Sequence, residues 1–366
     1  MNKTWLPIKV EDFDGHINDS ALKLYALTFT DSACLISRTL GTSLERISKY
    51  NLTNDKLELS DELGSGIVDI LKLTRGELKM QFDSFNIVTY IPFPDEKYKD
   101  QTAAINDQLA NESWYLKGSQ FDMKKEVLIE FKDSLEDRIV KPPLRKELNA
   151  AVIHTFENNY SDFHLRSIWG VNYFDNTNII SLSELEGNGL NSTIIITEIS
   201  DSLISGYEFI DGDKSLIQLS IAKTNFDQIN KFLLKEWVLK GFEEVKDEYG
   251  EYWSSFGGVE KGLKMDDLEN NKISLCFNKN QLFSIKVNRD TLTHGTWRLS
   301  NSGKLIELTS RYLEDGHNLV RNHFLTMIKI DSNQMKIFRR ENIESSEGEF
   351  ARVKFIENYE PAIDDN

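Results

Sequence analysis

The stretch His294–Ser310, HGTWRLSNSGKLIELTS, is typical of a β-hairpin and decides the fold class. Its apolar residues alternate with polar ones on both sides of a central Ser-Asn-Ser-Gly segment, whose residue types favour a turn. Trp297 and Leu299 alternate in the first strand, and Ile306 and Leu308 alternate in the second. A period of two on both sides of a Gly-bearing turn predicts a half-buried antiparallel hairpin.

The same hairpin pattern occurs twice more upstream. Tyr50–Leu59 and Trp169–Leu182 each carry an aromatic-x-aliphatic pair, a polar turn and an aliphatic-x-Leu pair. Turn length varies while the paired residues persist, as cross-strand pairing requires, because loops tolerate insertions and paired faces do not. Each copy also opens on a Trp-containing strand, at Trp5, Trp114 and Trp237. The sequence therefore predicts three tandem copies of one unit.

Two helix-like segments separate the copies. Residues 95–112 are polar, with Ala and Leu at helical spacing, and residues 224–236 place apolar side chains at the spacing of an amphipathic helix. We therefore predict repeats over residues 1–94, 113–223 and 237–357, joined by linker helices over residues 95–112 and 224–236.

The order of these landmarks resembles the small lipocalin-like domains common in Bacteroidetes-type bacteria. That pattern runs W-x-L, a variable loop, L-x-F with a polar turn, G-T-W-x-L, a turn, L-x-L-T and two closing strands. The third copy carries it in Trp237–Leu239, Leu275–Phe277, Gly295–Leu299 and Ile306–Thr309, whereas the first copy has Tyr50 in place of the second Trp. The resemblance implies an all-β fold of three tandem antiparallel lipocalin-like barrels or half-barrels joined by short helices. It also implies that a barrel holds an apolar ligand or binds a partner.

Charge and hydropathy narrow the classes of partner. The formal net charge of −16 repels nucleic acid phosphates and anionic membrane surfaces, so we expect no nucleic acid partner. No apolar window approaches the ~18 residues of a membrane span, so we expect no membrane insertion. The first fifteen residues contain no apolar segment of signal-peptide length. We expect a cytoplasmic chain or, as the alternative, a periplasmic or otherwise exported one whose leader was removed.

Motifs for catalysis, cofactors and metals do not stand out, so we predict a chain that is not an enzyme, with no cofactor and no metal. Cys276 lies in an alternating ISLCF segment, which favours an inert core thiol, and Cys34 has no His or Cys at ligand spacing. Asp12–Gly15 is superficially like a calcium loop, but a hairpin turn explains its Asp and Gly residues. His317 and His323 are six residues apart on one strand face without the rest of a metal motif.

The tryptophans give the only predicted site. Five of the six fall at or near repeat landmarks, where they either floor a ligand cavity or, as we favour, plug the barrel core. Trp253 is the exception, since it lies with Tyr252 and Phe256 in an aromatic, Gly-bearing loop. Such side chains are costly to leave solvated, so they either cap a barrel or contact a ligand or partner. We predict that Tyr252, Trp253 and Phe256 form the binding site.

These patterns favour non-catalytic binding of a partner protein or of a small apolar ligand. Three divergent copies favour the protein, because a carrier needs one good cavity whereas several domains offer an extended surface. The alternative is a structural or assembly component of a bacterial envelope, secretion or defence complex. An enzyme is the third and weakest option.

Overall fold

The computed structural model describes residues 3–16, 25–37, 46–61, 64–82, 86–110, 112–118, 126–132, 149–157, 160–184, 192–210, 213–224, 226–244, 272–314, 317–344 and 350–362. Within these ranges the chain forms three closed eight-stranded antiparallel barrels in tandem. The predicted all-β fold is thereby confirmed, and the barrels are closed rather than half-barrels.

The strands of each barrel follow one another along the chain. The first barrel comprises β1 (Thr4–Glu11), β2 (Ala26–Phe29), β3 (Cys34–Ser37), β4 (Arg46–Thr53), β5 (Lys56–Asp61), β6 (Gly64–Leu73), β7 (Leu78–Gln81) and β8 (Ile87–Pro92). The second comprises β9 (Ser113–Lys117), β10 (Glu126–Lys132), β11 (Ala150–Glu157), β12 (Tyr160–Phe174), β13 (Thr177–Glu184), β14 (Ser192–Ser200), β15 (Leu203–Ile210) and β16 (Asp213–Ile221). The third comprises β17 (Glu236–Glu244), β18 (Ile273–Phe277), β19 (Leu282–Val287), β20 (Asp290–Leu299), β21 (Leu305–Glu314), β22 (His317–Ile330), β23 (Met335–Glu344) and β24 (Phe350–Pro361). Two helices, α1 (Thr102–Leu109) and α2 (Phe226–Leu233), precede the second and third barrels.

Every barrel has up-and-down topology, because neighbouring strands in the chain pair and the first strand closes on the last. The hairpin that the sequence predicted three times occupies the same place in each barrel, as β4–β5, β12–β13 and β20–β21. Its aromatic and leucine landmarks are direct cross-strand partners, in the pairs Tyr50 with Leu59, Trp169 with Leu182 and Trp297 with Leu308. Directly opposite residues share one face of the sheet, so each pair packs together.

A β-bulge also recurs at one place in each barrel. It interrupts the pairing of β6 with β7 after Ile70, of β14 with β15 after Ile196, and of β22 with β23 after Met327. A bulge bends its strand and increases the local twist. Its recurrence shows that the three barrels share curvature as well as strand order, so residues can be matched between copies by register.

The helices are shorter than the sequence predicted. Among the described residues of the first linker, Thr102–Leu109 are helical, whereas the predicted helix covers residues 95–112. Residues 95–101, which we call the strap, precede the helix, and backbone groups of the strap bond to the second barrel. Tyr98 N donates to Asn176 O at 2.8 Å, Asn178 Nδ2 donates to Lys99 O at 2.8 Å, and Gln101 N donates to Asn178 Oδ1 at 2.9 Å. These partners replace the hydrogen bonds that a helix would otherwise supply.

The chain divides into two compact units, one of residues 1–134, 148–153 and 164–221 and one of residues 135–147, 154–163 and 222–366. Inside the first unit, the outer surfaces of the first two barrels share an apolar cluster. Phe93 packs edge-on against Phe174 with ring centroids 5.2 Å apart. Buried Leu6 and Ala26 of the first barrel belong to this cluster with buried Tyr207 of the second. No helix in the described part of the chain is long and apolar enough to cross a membrane.

Candidate functional site

The predicted site residues Tyr252, Trp253 and Phe256 lie outside the described residues. Their role in binding therefore stays a prediction. The side chain of His317 also lies outside the described residues. The aromatic landmarks of the repeats are described, and they show where the three copies agree and where they differ.

The aromatic landmarks form the same packing unit in every barrel. The Phe at the end of an early strand meets the hairpin aromatic edge to face, with centroids 5.2 Å apart for Phe29 and Tyr50, 5.1 Å for Phe131 and Trp169, and 5.3 Å for Phe277 and Trp297. Each hairpin aromatic also donates a hydrogen bond to a backbone carbonyl at or near the turn after that Phe, from Tyr50 to Thr30, from Trp169 to Lys132 and from Trp297 to Asn278. Repetition in all three copies marks these residues as scaffold.

Each opening Trp lies in its own core. Trp5, Trp114 and Trp237 are all fully buried, each in a cluster of aliphatic and aromatic side chains. Packing of this kind matches the favoured interpretation of the sequence, in which the aromatics fill the barrel interior. Because these features recur in all three barrels, we expect a functional site at a place where the barrels differ.

The second barrel is covered at one end by helix α1. Its Ile105 and Leu109 are fully buried and belong to the barrel's core cluster. Val171 near the end of β12 and Ile199 near the end of β14 pack against that same cluster. Gln108 Nε2 donates to Ser200 O at 2.9 Å, which attaches the helix to the last residue of β14.

The third barrel is covered at the equivalent end by helix α2. Leu233 is fully buried in the core cluster and Ile229 packs against it. Leu299, at the end of β20, and Ile330, at the end of β22, belong to or pack against the same cluster. The Trp237 indole Nε1 donates to the Leu233 carbonyl at 3.2 Å, so the helix ends directly over the opening Trp.

The equivalent end of the first barrel exposes leucines. By register, Leu52 of the first barrel matches Val171 of the second and Leu299 of the third. Each of them faces an aliphatic residue of the next strand, in the pairs Leu52 with Leu57, Val171 with Ile180 and Leu299 with Ile306. Leu73 likewise matches Ile199 and Ile330, which face Leu78, Ile204 and Met335. Leu52 is 40% exposed and Leu73 43%. Leu71, at the bulge of β6, is 49% exposed and matches Thr197 and Ile328 at the bulges of β14 and β22. We call Leu52, Leu71 and Leu73 the leucine rim.

The leucine rim lies away from the second barrel. The first barrel contributes buried Leu6 on β1, Ala26 on β2 and Phe93 just after β8 to the apolar cluster between the two barrels. The rim lies on β4 and β6, which flank β5, the strand farthest from β1 in the closed order. Contact with the second barrel therefore does not account for the rim.

A group of possible metal ligands occurs at Asp12, Asp14 and His16, whose ligand atoms lie within 4.8 Å of one another. The group is mainly solvent-exposed, and a local turn explains it. His16 N donates to Asp12 Oδ1 at 2.9 Å, and this hydrogen bond is the main cause that lowers the pKa of Asp12. The geometry agrees with the turn that the sequence predicted for Asp12–Gly15.

Buried ionisable groups bond to nearby hydroxyls. Three carboxylates that the sequence analysis did not single out, Glu130, Glu208 and Glu357, are at most 4% exposed. Their hydroxyl donors are Ser113, Ser192 and Tyr359 respectively.

The two cysteines are buried as well, and burial raises the pKa of the Cys34 thiol to about 12 and also raises that of Cys276. The expectation that Cys276 is a buried thiol is confirmed, although it lies beside Glu236 and Lys286 and is not part of the core cluster of its barrel.

Comparison with known proteins adds little beyond the fold. No protein-family model matches the chain, and no curated protein matches it. A solved structure with detectable similarity is the isotype 1 transferrin binding protein B from serogroup B Neisseria meningitidis, at 7% identity and a TM-score of 0.21. The match covers 92% of this chain and 65% of that one, so this chain spans less than two thirds of that protein's length.

Proposed function

We propose that this chain is a non-catalytic binding protein of the lipocalin-like type that engages a partner protein through the leucine rim. One observation carries the proposal. Leu52 and Leu73, at one end of the first barrel, are 40% and 43% exposed, whereas their matched counterparts Val171, Leu299, Ile199 and Ile330 belong to or pack against helix-capped cores. Apolar side chains grouped on a rigid barrel end are a usual basis for protein recognition.

The barrel interiors favour a protein partner over a small apolar ligand. A carrier encloses its ligand in a cavity of ~300 Å³ or more. In this chain the fully buried Trp5, Trp114 and Trp237 occupy the cores, together with the repeated aromatic pairs. The formal net charge of −16 argues against nucleic acid as the partner. A cytoplasmic location belongs to the proposal, with an exported form as the alternative.

Photo-crosslinking tests the proposal directly. A photoreactive amino acid replaces Leu73 in the chain expressed in its native host, and the matched control places it at Ile67, an apolar residue that is 61% exposed within β6. We expect a discrete protein adduct from position 73 that is absent from position 67 and is lost when Leu52→Asp is added. Equal adducts at both positions, or none at position 73, would contradict the proposal.

Native mass spectrometry separates the carrier from the partner-binding protein. The purified chain should have the mass of the polypeptide alone, 42.2 kDa. A retained small apolar molecule would overturn the protein-binding proposal in favour of a carrier. A structural or assembly component, the alternative function, predicts a stoichiometric and stable complex on purification, whereas the proposed function predicts a partner that dissociates and rebinds.

The loop of Tyr252, Trp253 and Phe256 is proposed as a second contact. Trp253→Ala should then reduce capture of the partner identified by crosslinking and leave the melting temperature unchanged. Unchanged capture would remove this loop from the proposal and leave the leucine rim as the proposed contact.

A further inference from the structure

We infer that the leucine rim receives a short amphipathic α-helix of the partner protein, in the position that α1 and α2 hold on the other two barrels. The inference rests on the proposed function and names the chemistry of the partner. Three observations support it: the form of the two caps within the chain, the contacts of the lysine before Trp5, and an unpaired indole.

The two caps define the expected ligand. Both α1 and α2 are eight residues long, and each places aliphatic side chains four residues apart, as Ile105 with Leu109 and Ile229 with Leu233. Residues i and i+4 lie on the same face of a helix, so two turns suffice to cover a barrel end. The residues that match Leu52 and Leu73 are aliphatic in both capped barrels, so these two positions offer a helix the same kind of surface.

Lys3, two residues before Trp5, makes the same contacts as Lys235, two residues before Trp237. In the third barrel Lys235 Nζ lies 4.8 Å from the Trp237 ring centroid and donates to Ser332 O in the turn between β22 and β23. In the first barrel Lys3 Nζ lies 4.3 Å from the Trp5 ring centroid and donates to Arg75 O in the turn between β6 and β7. Helix α2 ends two residues before Lys235. A partner helix placed on the rim as α2 is placed on the third barrel would therefore lie near Lys3.

The Trp5 indole provides the third observation. In the third barrel the indole N–H of Trp237 bonds to the last residue of the cap helix. The Trp5 Nε1 atom is buried and has no hydrogen-bond partner among the described residues. Trp114 Nε1 also has no hydrogen-bond partner among the described residues, although α1 covers its barrel. Helix α1 ends five residues before Trp114, whereas α2 ends four residues before Trp237. A partner helix with the placement of α2 would bring a C-terminal carbonyl to Trp5, and Lys3 and Arg75 would favour the negative end of its dipole.

A second copy of this chain is a poorer occupant. Its α1 and α2 would have to leave their own barrels, where Ile105, Leu109 and Leu233 are fully buried. Exposing such side chains costs free energy that docking on a half-exposed rim would not recover. A helix that belongs to a different protein has no such cost.

Indole NMR of the intact chain tests the inference. With ¹⁵N-tryptophan labelling the chain gives six indole signals, and Trp5→Phe assigns the one of interest. The probe is a stapled helical peptide with the sequence of residues 224–236, and the control peptide carries Asp at the positions of Ile229 and Leu233. We expect the probe to shift the Trp5 signal saturably and to leave Trp169 and Trp297 in place. The control peptide should bind at least tenfold more weakly.

The rim variants decide whether the binding is at the inferred surface. Leu73→Asp should weaken the probe at least tenfold, and Leu71→Asp serves as the second variant if the first does not fold. A Trp5 shift that persists unchanged in the rim variant, or no shift at the solubility limit of the probe, would overturn the inference. A doubling of mass in light scattering that Leu73→Asp reverses would also overturn it, in favour of a second copy. Crosslinking at Leu73 tests whether a protein binds the rim, and its result does not depend on whether the helical probe binds.

Discussion

A Leu→Ala substitution at a capped barrel end should lower the free energy of unfolding much more than the same substitution at the exposed end. Leu109→Ala removes a fully buried side chain that joins α1 to the core of the second barrel. Deleting such a leucine costs about 2.7–5 kcal/mol, because the lost transfer free energy adds to that of the cavity left behind. Leu73→Ala removes a side chain that is already 43% exposed. Full burial of a leucine is worth about 1.5–3 kcal/mol, so we expect a loss of roughly 1 kcal/mol or less here.

Hydrogen exchange read by mass spectrometry measures this difference barrel by barrel. A chain with three barrels has no single unfolding transition, so a global midpoint would mix their stabilities. A loss of ~3 kcal/mol raises exchange through unfolding by roughly a hundredfold, since 1.4 kcal/mol corresponds to a factor of ten. We expect that increase in peptides from β9–β16 of Leu109→Ala and less than about tenfold in β1–β8 of Leu73→Ala. Equal effects in the two variants would refute the assignment of one end as covered and the other as exposed.

Three further predictions concern the scaffold. Asn178→Ala should cost roughly 1–3 kcal/mol and speed amide exchange in the strap, because the buried Asn178 side chain bonds two backbone groups there. Gly206→Ala should destabilise the second barrel by roughly 1–3 kcal/mol in urea unfolding, since its Cβ would lie 2.2 Å from the Ile195 carbonyl oxygen. Gly241→Ala, with nothing within 4 Å of the added Cβ, is the matched control. Cys34 should resist thiol reagents in the folded chain. Its raised pKa of about 12 means that its contribution to stability falls as pH rises from about 9, where the unfolded thiol ionises.

Sequence periodicity predicted the barrels, but it could not predict that one barrel end is exposed. Alternation around Trp297 identified which residues face inward, and register pairing with Leu308 confirmed it. Alternation cannot show whether the end of a barrel is covered, because that depends on where a separate helix docks. Leu52 has the same sequence signature as Leu299, yet the first is 40% exposed and the second 7%. The strap before α1 was predicted as helix and is not helical. Its hydrogen bonds go to Asn176 and Asn178, which are far away in the sequence, so a local pattern could not show them.

The exposed leucines are not explained by a poorly formed first barrel. That barrel closes with the same strand order as the others, repeats the bulge after Ile70 and buries Trp5 fully. It also repeats the aromatic edge contact of Phe29 with Tyr50 and the paired contacts of the lysine before the opening Trp. A copy that has drifted toward instability would lose core contacts before it lost a peripheral cap. These contacts are retained although Tyr50, Leu59 and Ile70 are only partly buried, so the exposed leucines belong to a barrel that is closed and packed around Trp5.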